Sequence, residues 1–211
     1  MKSILKIIVI ALTLILFNCK NEAVQITYKY GNKPTVITCN DLDDNLYQEA
    51  MYSFEDDIFN YYKKKNFKST LVNAYAQFIR NANFGRLAYE DIISEHSIKV
   101  FEALKQDNKL WDPENTKSHL NYDSPLIKCV INNIKDNSLK TTFNSLLSIN
   151  DLSPKLIGPP LNSRYRDALK DKYLASYIAF DFYYSKFFDI DLSKINLDRP
   201  EPKVDFNKKP E

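Results

Sequence analysis

Hydrophobic and polar positions along the chain change period several times. Ile7 to Phe17 form an unbroken weakly polar or apolar run behind Lys2 and Lys6, and polar Asn18, Lys20, Asn21 and Glu22 end it at Cys19. A spanning helix needs about 20 apolar residues, so this run has the length of a signal-peptide core rather than of a membrane span. Next, "VQITYKY" (24–30) and "TVITC" (35–39) alternate with period two around "GNKP". That pattern predicts either a β-hairpin or an extended lead-in to the first helix.

From Asn40 the period becomes helical. Asn40 or Asp41 can cap a helix carrying Leu42, Leu46, Ala50, Phe54 and Ile58 along one side. Ser69 can cap a second helix with Leu71, Ala74, Tyr75, Phe78, Ile79 and Ala82, closed by Gly85. Further helical spacing begins after Ser94, then at Leu126 beyond a Pro-punctuated connection (111–125), and again at Leu139 after a break at 136–138. "SPKLIGPPLNS" (153–163) has three prolines and a glycine, which argues against a helix interior there. Arg164 to Phe188 predicts one long helix, apolar on nearly all faces of its C-terminal half and therefore central. The Pro-rich, charged residues 198–211 are expected to be a disordered tail. Together these features predict a mainly α protein: one helical-bundle domain of about six helices spanning 24–197, with the short β or extended segment at its start.

The residues around the first cysteine add a resemblance. Leu16-Phe17-Asn18-Cys19 resembles the lipobox of bacterial lipoproteins, in which a large apolar residue stands three positions before the modified cysteine. It departs from the commonest pattern in having Asn18 where Gly, Ala or Ser is usual. The resemblance implies that residues 1–18 are a signal peptide, that Cys19 carries a diacylglycerol and palmitate-type acyl chains, and that 19–23 form a lipidated tether. Beyond the lipobox the chain is similar only in its Lys-, Asn- and Tyr-rich style to uncharacterised lipoproteins of Bacteroidota-type bacteria. That likeness implies a cell-envelope, outer-membrane location on either face.

Charge then narrows the function. The 29 Lys and Arg, less Lys2 and Lys6, leave 27 against 27 Asp and Glu. A chain without net charge has no field to gather nucleic acid, and Lys63-Lys64-Lys65 reads as a solvated helix end. Only 3 glycines and no phosphate-cradling motif argue against a nucleotide-binding α/β domain. The 2 histidines, His96 and His119, lack partners at ligand spacing, so neither metal nor other cofactor is expected. Glu55-Asp56-Asp57 and Asp41-Asp43-Asp44 lack the spacing of a calcium loop and read as solvated faces.

If Cys19 is lipidated, Cys39 and Cys129 remain as a candidate disulfide, with two buried thiols as the alternative. Asp181, set in "AFDFYYSKFF", is either a general-acid candidate with a raised pKa or a buried carboxylate bonded to a tyrosine hydroxyl or an arginine such as Arg80 or Arg86. Two functional classes follow. One is a non-catalytic binding or accessory lipoprotein whose partner is an envelope protein, peptide or glycan. The other is a cell-wall or glycan hydrolase with dispersed carboxylates, Asp181 or Glu55 acting as the acid.

Overall fold

The computed structural model describes residues 26–39 and 44–197. The signal segment, Cys19, the cap candidates Asn40 and Asp41, the acids Asp41 and Asp43, and the tail 198–211 lie outside them. The architecture is mainly α, as the periodicity predicts. Among the described residues seven α-helices follow in order: α1 Asp44–Lys65, α2 Leu71–Asn83, α3 Glu95–Leu104, α4 Pro125–Asn132, α5 Asn137–Ser148, α6 Pro154–Ser163 and α7 Lys172–Ile178. Helix α1 packs on α2, α2 on α6, α6 on α5, α5 on α4, α4 on α7, and α7 back on α1, while α3 lies against α1. This circuit closes around an aromatic core in which Tyr47, Tyr75, Tyr177, Tyr183, Tyr184, Phe54 and Phe78 are fully buried. No described helix is long and apolar enough to cross a membrane.

Most boundaries have local chemical causes. Ser94, Ser124 and Asp136 cap α3, α4 and α5 by accepting from the N–H groups of Ser97, Ile127 and Leu139. The cap of α2 is Thr70 rather than the expected Ser69, whose buried hydroxyl has no hydrogen-bond partner. Gly85, with φ 61°, ends α2 as expected, its N–H bonding Ala82 O and that of Arg86 bonding Asn81 O. That pairing satisfies carbonyls the helix leaves open.

One open alternative is decided and two expectations are corrected. Residues 26–39 contain no strand: a turn bonds Lys33 N to Tyr30 O, and the rest is the extended lead-in. A hairpin needs a sheet to lie on, and there is no strand among the described residues, only an isolated bridge between Trp111 and Leu120. The proline-rich segment does form a helix, α6, with Pro159 and Pro160 inside it. Pro154 occupies the favourable first turn, and burial of Ile157, Gly158 and Leu161 against the bundle outweighs the two missing donors.

The last helix is neither continuous nor as long as 164–188. A short 3-10 turn, Asp167–Leu169, precedes α7, which starts where Asp171 accepts from Leu174 N at 3.3 Å. After Ile178 the chain widens into a π-helical stretch, Ala179–Tyr183, and then tightens into a 3-10 stretch, Tyr184–Asp189. The expectation that this segment is central holds, because Leu174 to Phe187 are buried apart from Lys186.

Candidate functional site

Helix α1 carries polar side chains into the interior. Glu49, Ser53, Asp56, Asp57 and Asn60 recur at steps of four, three, one and three, which places them along one side of the helix. Glu49, Ser53 and Asp57 are buried, as is Glu55 on a neighbouring face. The reading of Glu55 and Asp57 as solvated acids is therefore overturned. Their neighbours explain it: every buried carboxylate here receives donors from elsewhere in the fold.

Glu49 ties down the lead-in. It accepts from Lys29 N at 2.7 Å and Tyr30 N at 3.0 Å, and lies 2.5 Å from His96 Nε2. Burial pushes its carboxyl up, but the hydrogen bonds from His96 and the two amides outweigh that and hold it below the ordinary value. Gln48 Nε2 donates to Tyr30 O at 2.7 Å and Lys33 O at 3.0 Å, and Tyr52 OH to Pro34 O at 3.0 Å. The lead-in thereby becomes a wall beside α1.

Asp57 sits at the N-terminus of α3. Its Oδ2 accepts from Ser94 N at 3.1 Å and from the hydroxyl of Tyr183. Burial pushes its carboxyl up to about 6, against the pull of those hydrogen bonds. Tyr183 reaches it because of the π-helical stretch, which turns successive tyrosines onto α1: Tyr184 OH donates to Ala50 O at 3.0 Å. Tyr89 OH in turn donates to the Phe182 carbonyl at 2.9 Å.

Between α1, the lead-in and the start of α3 lies a cleft with about 690 Å³ of empty volume, counted to where it opens on solvent. Asp57, Asn60 and Ser53 line it from α1, Lys29 and Tyr30 from the lead-in, and Ser94 and His96 from α3, with Ile92 and Ile93 alongside. Asn196 and Leu197 also line it, so both ends of the described chain meet there. The Oγ of Ser53 and the Oδ1 of Asn60 are buried without a hydrogen-bond partner.

The acids proposed from sequence lie elsewhere. Asp181 has no exposed surface and lines no part of this cleft. It accepts from Tyr177 OH at 2.7 Å, Tyr122 OH at 2.9 Å and the hydroxyl of Ser118. Burial raises its pKa and these hydroxyls oppose the rise. It is thus the tyrosine-bonded carboxylate of the two alternatives, with no arginine among these partners. Glu55 accepts from Tyr75 OH and Lys172 Nζ, both at 2.9 Å, also away from the cleft. His119 lies 3.1 Å from Asp189 on the other side of the aromatic core. No group of three or more His, Cys, Asp or Glu among the described residues is arranged to hold a metal ion.

Cys39 and Cys129 are joined by a disulfide with a Cα–Cα distance of 6.2 Å, pinning the end of the lead-in to α4. Sequence reasoning missed the Glu49–His96 pair and the whole α1 stripe. The one available signal was polar residues at helical spacing on the same helix as the apolar stripe. Compared with protein families, curated proteins and solved structures, the chain matches none.

Proposed function

We propose that this protein is a cell-envelope lipoprotein, held at the outer membrane by acyl chains on Cys19, with a non-catalytic binding role exercised through the cleft beside α1. The observation that carries the binding role is the cleft's construction. Asp57 is hydrogen-bonded by Ser94 N and Tyr183 OH, while Ser53 Oγ and Asn60 Oδ1, on two other lining residues, are buried without hydrogen-bond partners. A buried polar atom left unpaired costs about 1–3 kcal/mol, and a bound group that satisfies it recovers much of that. The anchoring rests on the lipobox resemblance, and the Cys39–Cys129 bond supports export to an oxidising compartment. The partner is a peptide, a glycan or a segment of another envelope protein.

The hydrolase reading retains one support, Asp57, an accessible-cleft acid with a carboxyl near 6. It makes a separate prediction, that Asp57→Asn abolishes turnover of wall glycan. The binding reading expects no turnover from either protein.

Two measurements test the proposal. Intact mass of the membrane-extracted protein should begin at Cys19 with added acyl chains, and a Cys19→Ser variant should lose them. An unmodified chain that keeps residues 1–18 ends the lipoprotein assignment. A fragment library titrated against the full chain in detergent micelles should move the NMR signals of Ser53, Asn60 and Ser94. If no fragment moves them, the cleft is not a binding site.

A further inference from the structure

We propose that the group taken by the cleft is a primary alkylammonium on an unbranched aliphatic arm, as in a lysine side chain. This rests on the cleft being a binding site and adds the chemistry of what binds. The deep surface holds buried polar groups. Asn60 Oδ1, an acceptor, and the Ser53 hydroxyl have no hydrogen-bond partner, and Ser53 is only 2% exposed. Asp57, which accepts from Ser94 N and Tyr183 OH, lines the same cleft. Three carboxylates line the cleft, Asp56, Asp57 and Asp91, against two ammonium groups, Lys29 and Lys64. A buried group that supplies N–H donors and positive charge fits that excess, whereas an anion would be placed beside three carboxylates.

The walls argue for the arm. Tyr30 and Tyr61 bring aromatic rings, and Ile92 and Ile93 bring apolar surface. Ring faces attract cations and also pack on methylenes, so a hydrocarbon stem ending in an ammonium suits them better than a polyhydroxylated ring does. The same chemistry occurs in a peptide lysine and in a free diamine. The experiment separates the two.

The full chain in detergent micelles is titrated with n-butylammonium, butan-1-ol and butanoate, with Asn60 and Ser94 NMR signals as the readout. Nα-acetyl-lysine methylamide and 1,5-diaminopentane follow as the peptide and free-amine sources. The ammonium probe should bind saturably and at least about tenfold more tightly than the alcohol or the carboxylate, the margin of one desolvated charge interaction. Asn60→Asp, which adds a charge at the orphan acceptor, should tighten it by about three- to tenfold, and Asn60→Leu should weaken it by a similar factor. Tighter binding of the acetyl-lysine amide than of the diamine assigns a peptide source, and the reverse a free amine. Either supports the inference. Equal or tighter binding of butan-1-ol or butanoate overturns it while leaving the cleft a binding site. Silence of the cleft toward every probe and fragment overturns both.

Discussion

Asp57 is held where two tendencies oppose. Hydrogen bonds from Ser94 N–H and Tyr183 OH favour its charged form, yet burial wins and moves the carboxyl from 3.8 up to about 6. Because the folded state then binds the proton more tightly than the unfolded chain, this residue contributes less stability as pH rises between those values. The loss is complete above about pH 7 and amounts to roughly 3 kcal/mol at 1.4 kcal/mol per unit. An Asn keeps an acceptor for both donors and cannot ionise. Urea denaturation should therefore show Asp57→Asn gaining about 3 kcal/mol relative to the parent between about pH 4 and pH 7. Glu49 titrates in both proteins and cancels in the difference. A difference flat with pH would mean the carboxylate is solvated. Asp181 yields a different prediction. Asp181→Leu strands the hydroxyls of Ser118, Tyr122 and Tyr177 in the core and should cost about 3–5 kcal/mol in the same assay. The special environment of Asp181 was legible because four aromatics, Phe180, Phe182, Tyr183 and Tyr184, adjoin it in sequence. That of Asp57 was not: it stands in an acidic run, Glu55-Asp56-Asp57, that reads as solvated, while its partner Tyr183 lies 126 residues away.

Among the elements, those with chemical punctuation were legible and those sustained by packing were not. Ser94, Gly85 and the break at Asp136 mark helix ends in the sequence as in the fold, since each acts on backbone groups within a turn. Helix α6 defied its prolines because its stability comes from contact with α2, which no local rule contains. The same contact supplies a test. A Cβ on Gly158 would fall 2.0 Å from Asn83 Oδ1 and 2.6 Å from its Cγ, so the whole amide must move. Gly158→Ala should therefore destabilise the protein by about 1–3 kcal/mol despite alanine's better helix propensity. Asn83 Oδ1 has no hydrogen bond to lose. Adding Asn83→Ala should recover most of the loss, seen as a coupling of at least ~1 kcal/mol in a double-mutant cycle on chemical denaturation. Independent, additive effects would show that α2 and α6 are not in this register. The π-helical stretch was also illegible: all its residues are apolar, aromatic or buried, so no periodicity distinguishes it from an ordinary central helix.

On the scale of the molecule, the lead-in is held to the bundle at two separate points. Near Tyr30 it hangs on Glu49, Gln48 and Tyr52 of α1, and at Cys39 it is bonded to α4. The two attachments have different physical origins. The first is a set of hydrogen bonds that shape the cleft wall. The second is a cross-link spanning 90 residues, which restricts the unfolded chain and contributes about 4–5 kcal/mol in the loop-entropy picture. Cys39→Ala with Cys129→Ala should therefore lower stability by about that amount against urea while leaving the amides of Lys29 and Tyr30 protected from hydrogen exchange. Glu49→Ala should do the opposite locally. It removes the acceptor for both amides and should expose them to fast exchange, with Val36 and Ile37, buried beside the disulfide, keeping their protection. Loss of protection along the whole lead-in in either variant would mean that it detaches as one unit. The bundle would then lose the wall of its cleft whenever the disulfide is reduced, and binding there would depend on redox state. Separate responses would instead leave the cleft formed by α1 and its hydrogen bonds alone, with the disulfide bearing only on how firmly the end of the lead-in is held to α4.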